Sequence, residues 1–195
     1  NIFFVATTPF VCGPERASTC TYLEAAPALW NGGSSDPLRT WAQATLVKYD
    51  TATVDNAGSP ESATATAIGW GYFNTRAIIL QGNSDSATSA AALADSYAVI
   101  VSGVVYDDWY LASSDELNQM CKWIRGVTGT DLTTLTTLCA GGAINTGLGA
   151  AGFGDVYWSS TQHAATLARY QNFFDIQRGN VAKNYPARLR PIRAF

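Results

Sequence analysis

The densest group of ionisable side chains lies in "DDWYLASSDEL", residues 107–117, which holds Asp107, Asp108, Asp115 and Glu116. Two carboxyl groups roughly 5–10 Å apart are what glycoside hydrolysis needs, one as acid and the other as base or nucleophile. The spacing supports a different reading. Ser113 and Glu116 form an S-x-x-E capping box, and acids in a first helical turn complement the positive end of the dipole. Asp115 and Glu116 are therefore expected to start a helix. "YWSST", residues 157–161, precedes His163, so hydroxyl nucleophiles and an imidazole base are formally present. Nothing, however, matches the G-x-S-x-G elbow. His163 is the single histidine and the cysteines lack C-x-x-C spacing, so no zinc set is expected. The residues predict no catalytic group, metal or cofactor.

Binding chemistry has better candidates. The net charge of −3 hides an asymmetry: from position 169 onward Arg169, Arg178, Lys183, Arg188, Arg190 and Arg193 face only Asp175. The 168 residues before them carry six bases and fourteen acids. Guanidinium forks hold sulfate or carboxylate in bidentate fashion. Arg188, Arg190 and Arg193, set around Leu189 and Ile192, are spaced as one face of a half-buried strand. With Gln171 and Asn172, these six bases form the candidate ligand-binding set. Gln162, His163, Asp175, Gln177 and Asn180 supply polar surface beside them. The competing reading pairs the same arginines with the acid-rich remainder, or places them at a subunit interface. The acidic balance gives no basis for a nucleic-acid partner.

Strands are needed to carry these groups. "NIFFVA" reads as a buried strand and "TYLEAAP" as a second. "VYWSST", "RYQNFFDI", "VAKNY" and "ARLRPIRAF" follow near the C-terminus, with "RGN" as a turn. Helices occupy the middle. "GNSDSATSAAALADSY" predicts one, N-capped by Ser84 or Ser86 and ending near Tyr97, with "NTRAIILQ" in the same helix or a separate one. "SSDELNQMCKWIRG" predicts the clearest helix, with Leu117, Met120, Cys121 and Ile124 at helical spacing and Gly126 as its stop. In "DWYL", alternation predicts one of Trp109 and Tyr110 buried and the other outward. Strands at both ends imply one α+β domain over residues 1–195, whose first and last strands can pair.

Composition narrows the setting. Of 195 residues only 14% are charged, against about 25% in an average soluble domain. Six Trp, nine Tyr and eight Phe on an otherwise uncharged polar background suit an exported, β-rich protein. Four cysteines allow three connectivities. Short closures favour Cys12 with Cys20 and Cys121 with Cys139, in an oxidising compartment. No apolar run approaches the roughly 18 residues of a membrane helix. The opening has no basic n-region, which reads as a mature or excised fragment.

Four motifs occur in order: "GWGYFNT", "DWYLASSDELNQM", "YWSST" and "RLRPIRAF". Together they resemble the domain (DUF1566-type) at the C-terminus of the Legionella collagen-like adhesin, found in many bacterial surface and secreted proteins, and the similarity spans almost the whole chain. The resemblance implies a C-type-lectin-like fold: a mostly antiparallel sheet, two main helices, long loops and paired terminal strands. Where such domains commonly carry Pro in "WYLPS", this chain has Ala112, which removes a rigid break but leaves the cap at Ser113. The fold group also includes an enzyme that oxidises cysteine to formylglycine, which would make Cys121 and Cys139 a redox pair. A structural disulfide is the expected alternative. The E-P-N, Q-P-D and W-N-D signatures of calcium-dependent sugar binding are missing.

The expected protein is thus a non-enzymatic adhesion or binding module, extracellular or at a cell surface, appendage or virion. Its partner would be a glycan or surface protein, with a homo-oligomer and a filament or surface-layer subunit as the structural alternative.

Overall fold

The computed structural model describes residues 1–41, 65–80, 89–126, 139, 143–144, 153 and 155–195. The expected caps Ser84 and Ser86, and most of "CAGGAINTGLGAAGFGD", lie outside them. The described chain is α+β, with mostly antiparallel sheets and three helices.

The first sheet is built from β1 (Ile2–Cys12), β2 (Ser18–Ala25), β6 (Tyr110–Leu111) and β11 (Pro191–Ala194), in the order β1-β2-β11-β6. The terminal strands share this sheet but do not pair, because β2 stands between them. The Cys12–Cys20 disulfide closes β1 and β2 into a local hairpin. That leaves the outer edge of β2 for the last strand, where Ile192 meets Ala25.

A second sheet runs β3-β10-β7-β8-β9. Its strands are β3 (Leu38–Arg39), β7 (Val156–Gln162), β8 (Leu167–Asn172), β9 (Arg178–Ala182) and β10 (Ala187–Arg188). Strand β10 pairs with β7 in parallel. "ARLRPIRAF", expected as one strand, is two: the chain leaves the second sheet after Arg188 and joins the first at Pro191. "RGN" is not a turn. It opens β9, and the turn lies at residues 173–177, where the Asn172 side-chain oxygen accepts the N–H of Phe174 at 2.8 Å. An Asn that caps backbone two residues on is a turn device in its own right.

The helices are α1 (Gly71–Leu80), α2 (Ala90–Asp95) and α3 (Ser114–Ile124), where the resemblance implied two main ones. Ser89 caps α2, accepting from the Ala92 N–H. Ser113 and Glu116 complete the capping box expected for α3, which buries Leu117, Met120, Cys121 and Ile124 and is followed by Gly126 at φ 66°. Helix α3 packs against β1, β7 and β8, while α1 packs on α2, β6 and β7. Trp109 and Tyr110 are both buried, contrary to simple alternation. Strand β6 is only two residues long and is covered from both sides: Tyr110 meets Tyr72 of α1, and Trp109 meets Tyr97 after α2.

One hairpin stands apart. Strands β4 (Val99–Val101) and β5 (Val104–Tyr106) form a separate two-stranded sheet. Ser102 and Gly103 join them with φ values of 51° and 82°, the doubly positive pattern of a type I′ turn.

Candidate functional site

The acids of the opening motif hold backbone. Glu116 is fully buried; its carboxylate accepts the N–H of Ser113 at 2.7 Å and of Gly69 at 2.8 Å. One side chain thereby ties the start of α3 to the turn that leads into α1. Burial pushes its carboxyl up to about 7, against those hydrogen bonds, which favour the charged form. Asp115 bonds Arg178 at 2.7 Å. The hydroxyls of "YWSST" are likewise engaged: Thr161 donates to the Ala65 carbonyl at 2.9 Å and accepts the Ser114 N–H at 3.0 Å. Ser159 donates to the Arg169 carbonyl at 3.0 Å. His163 is exposed. Both cysteine pairs are disulfides, Cys12–Cys20 and Cys121–Cys139, with Cα separations of 5.9 and 5.7 Å.

The structure disperses the candidate binding set. Arg190 is buried, correcting its assignment to an outward face. Its Nε donates to Asp36 at 2.8 Å, and Tyr157 and Trp30 donate to the same carboxylate at 2.6 and 2.9 Å. Burial pushes Asp36 upward while Arg190 opposes the shift. Lys183 is also buried; its ammonium lies over the Trp41 ring and donates to Gln162 at 2.7 Å, with burial lowering its pKa to about 8. Gln171 is buried and donates to the Ile176 carbonyl at 2.9 Å. Asn172 caps its turn, Arg188 donates to the Asp36 carbonyl at 2.7 Å, and Arg178 donates to Ser114 as well as Asp115. Arg169 is half-buried on β8. The expected one-sided arginine strand fails because its residues span the crossing between sheets.

Arg193 alone of that set lines an open cleft of about 370 Å³, together with Glu24, Pro27, Tyr97, Val99, Val101, Tyr106 and Trp109. Its Nε donates to Glu24 at 2.9 Å and a terminal nitrogen reaches Asp108 at 3.4 Å. The guanidinium lies 4.3 Å from the centre of the Tyr106 ring and 4.8 Å from that of Phe195. One wall is the β4–β5 hairpin. Its register pairs Val99 with Tyr106 and Val101 with Val104, so these four share a face, and Ile100 with Val105 share the other. Ile100 is 70% exposed, Val101 53%, Val104 52% and Val105 56%. A further exposed apolar residue, Phe174 at 78%, crowns the β8–β9 turn. The hairpin escaped the sequence reading, although "VIVSGVVY" carries its signal: Ser-Gly flanked on both sides by β-branched residues.

The fold and cleft define a disulfide-bonded α+β domain with an aromatic and aliphatic surface recess. No family model matches the chain, and no curated protein matches it.

Proposed function

We propose that the chain is an extracellular, non-enzymatic binding module of C-type-lectin-like fold, taking a glycan or protein ligand in the cleft between the β4–β5 hairpin and the end of β11. The cleft carries the reading. It is open, its size is at the lower end of the about 300–1,000 Å³ usual for ligand sites, and it mixes aromatic walls with a few charged groups. Two disulfides agree with an oxidising compartment. The resemblance in the four ordered motifs supports the same class. A non-catalytic role is supported by the occupation of Asp115, Glu116 and Thr161 in structural bonds.

Biotinylated protein screened on arrays of glycans and of surface proteins tests this reading. A saturable ligand whose binding is lost in Tyr97→Ala is expected; absence of any ligand on both arrays would sink it. A structural-subunit reading is favoured by a specific observation, the four exposed aliphatic residues of the hairpin. Concentration-dependent self-association in light scattering, without array ligands, is its signature.

A further inference from the structure

Asp36 is followed by Pro37, and Asp–Pro is the most acid-labile of peptide bonds. The side-chain carboxylate can close a five-membered ring on its own carbonyl carbon, and the prolyl nitrogen accepts a proton more readily than an ordinary amide. In this fold two arginines converge on that residue. Arg190 reaches the Asp36 carboxylate at 2.8 Å, and Arg188 reaches the carbonyl oxygen of the Asp36–Pro37 bond itself at 2.7 Å. Among the described residues Arg188 forms no ion pair, so two guanidinium groups stand beside a single carboxylate. We infer that Asp36–Pro37 is a self-cleavage site, with Asp36 as the nucleophile and Arg188 holding the oxygen on which charge develops.

The reaction needs only water. A carboxylate oxygen of Asp36 attacks the Asp36 carbonyl carbon, and the C=O electron pair moves onto the oxygen that faces Arg188. That pair then returns and the C–N bond breaks. The Pro37 nitrogen takes a proton from solvent and leaves as a secondary amine. Water opens the cyclic anhydride, so one peptide bond and one water become a C-terminal Asp36 and an N-terminal Pro37. A donor already 2.7 Å from the oxygen that becomes negative requires no rearrangement during the reaction. Trp30 and Tyr157, which donate to the carboxylate at 2.9 and 2.6 Å, join Arg190 in fixing the nucleophile and favouring its charged form. The new α-carboxylate gives Arg188 an ionised partner in place of a neutral carbonyl, which favours the product.

The surroundings suit both steps. Asp36 is buried, but Ser34, Ser35 and Leu38 on either side of the bond are exposed, so the chain runs along the surface here and water can reach it. Residues 1–36 retain the Cys12–Cys20 disulfide and the pairing of β2 with β1 and β11. Residues 37–195 begin with β3, which stays on β10. The cleaved protein thus keeps its sheets, and its two pieces part only on denaturation.

The test incubates the intact protein at mildly acidic pH beside the same protein unfolded in guanidinium chloride, and follows both by denaturing gel and intact mass. Two fragments are expected, one ending at Asp36 and the other starting at Pro37, formed at least roughly tenfold faster in the folded protein. Arg188→Gln should slow the folded rate by roughly a hundredfold, and Arg188→Lys should recover part of it. Pro37→Ala, which leaves the Asp36–Arg190 pair in place, should remain intact. Comparing folded with unfolded parent protein needs no variant, so a substitution that prevents folding does not shield the site from refutation. Self-cleavage is ruled out if the folded chain breaks no faster than the unfolded one, or if the break falls at another bond. It is equally ruled out if folded Arg188→Gln cleaves at the parental rate or Pro37→Ala cleaves as the parent does. A ligand found on the arrays for the uncleaved protein would leave the binding-module reading standing in each of those cases.

Discussion

Glu116 is a carboxylate that looks catalytic in sequence and proves architectural in place. It is fully buried, and its folded pKa of about 7 stands above the ordinary value of 4.5. The folded state therefore holds the proton more tightly than the unfolded chain. The stability arising from this difference is complete below pH 4.5 and is lost as pH rises to about 7. Urea unfolding across that window should show stability falling with pH by roughly 3 kcal/mol from this group, at about 1.36 kcal/mol per pH unit. In Glu116→Gln the slope should flatten. Asp36 offers a second check. Asp36→Ala removes the buried carboxylate facing the Arg190 guanidinium, and breaking a buried pair on one side costs about 3–5 kcal/mol. A midpoint shift in chemical denaturation reads this directly.

The motif "GWGYFNT" shows how elements constrain one another. Gly69 has φ 86°, and a Cβ there would collide with the Val11 carbonyl of β1. A Cβ on Gly71 would strike the Glu116 carboxylate and the Tyr110 ring. Three elements thus meet at two glycines. The short 3-10 turn Pro14–Arg16 adds a fourth contact, with Arg16 over the Trp70 ring at 3.6 Å. Gly69→Ala is expected to lose several kcal/mol, because both backbone conformation and space forbid it. Gly126→Ala is the control: φ is 66° but the space is open, so only the left-handed penalty of about 1–2 kcal/mol applies. Thermal melts of the two variants separate steric conflict from conformational strain. The α3 helix, its cap and its stop were legible because each depends on neighbours within a few positions. The β8–β9 turn was misplaced because Asn172 within "RYQNFFDI" reads equally as a strand residue until its side chain is seen to fold back on Phe174.

Across the whole molecule, the crossing of residues 189–190 joins the two sheets, and the buried Asp36–Arg190 pair sits at that join. The disulfides act differently, through the unfolded chain. Cys121–Cys139 spans 18 positions and Cys12–Cys20 spans 8. Loop-closure entropy gives about 3 and about 2.5 kcal/mol respectively. Paired Cys→Ser variants should lose stability in that order when unfolding free energies are measured in urea. The exposed hairpin and Phe174 belong to this level too, since their apolar side chains stand at the surface of the described fold.

Local chemistry in the sequence was enough for the cysteine pairs, the α3 capping box, most strands and the α+β class. Caps, short closures and side-chain periodicity all act over a few residues. The sites of the C-terminal bases required long-range placement. Asp36 and Arg190 are 154 positions apart, and no periodicity in either segment predicts that they meet. Burial of that pair, of Lys183 and of Gln171 turned a nominal basic strand into internal scaffolding. The cleft arose from four separated stretches, Asn1, Glu24 with Pro27, residues 97–109 and Arg193, whose joining depends on sheet order. Sheet order is set by which edges remain free once local hairpins have closed.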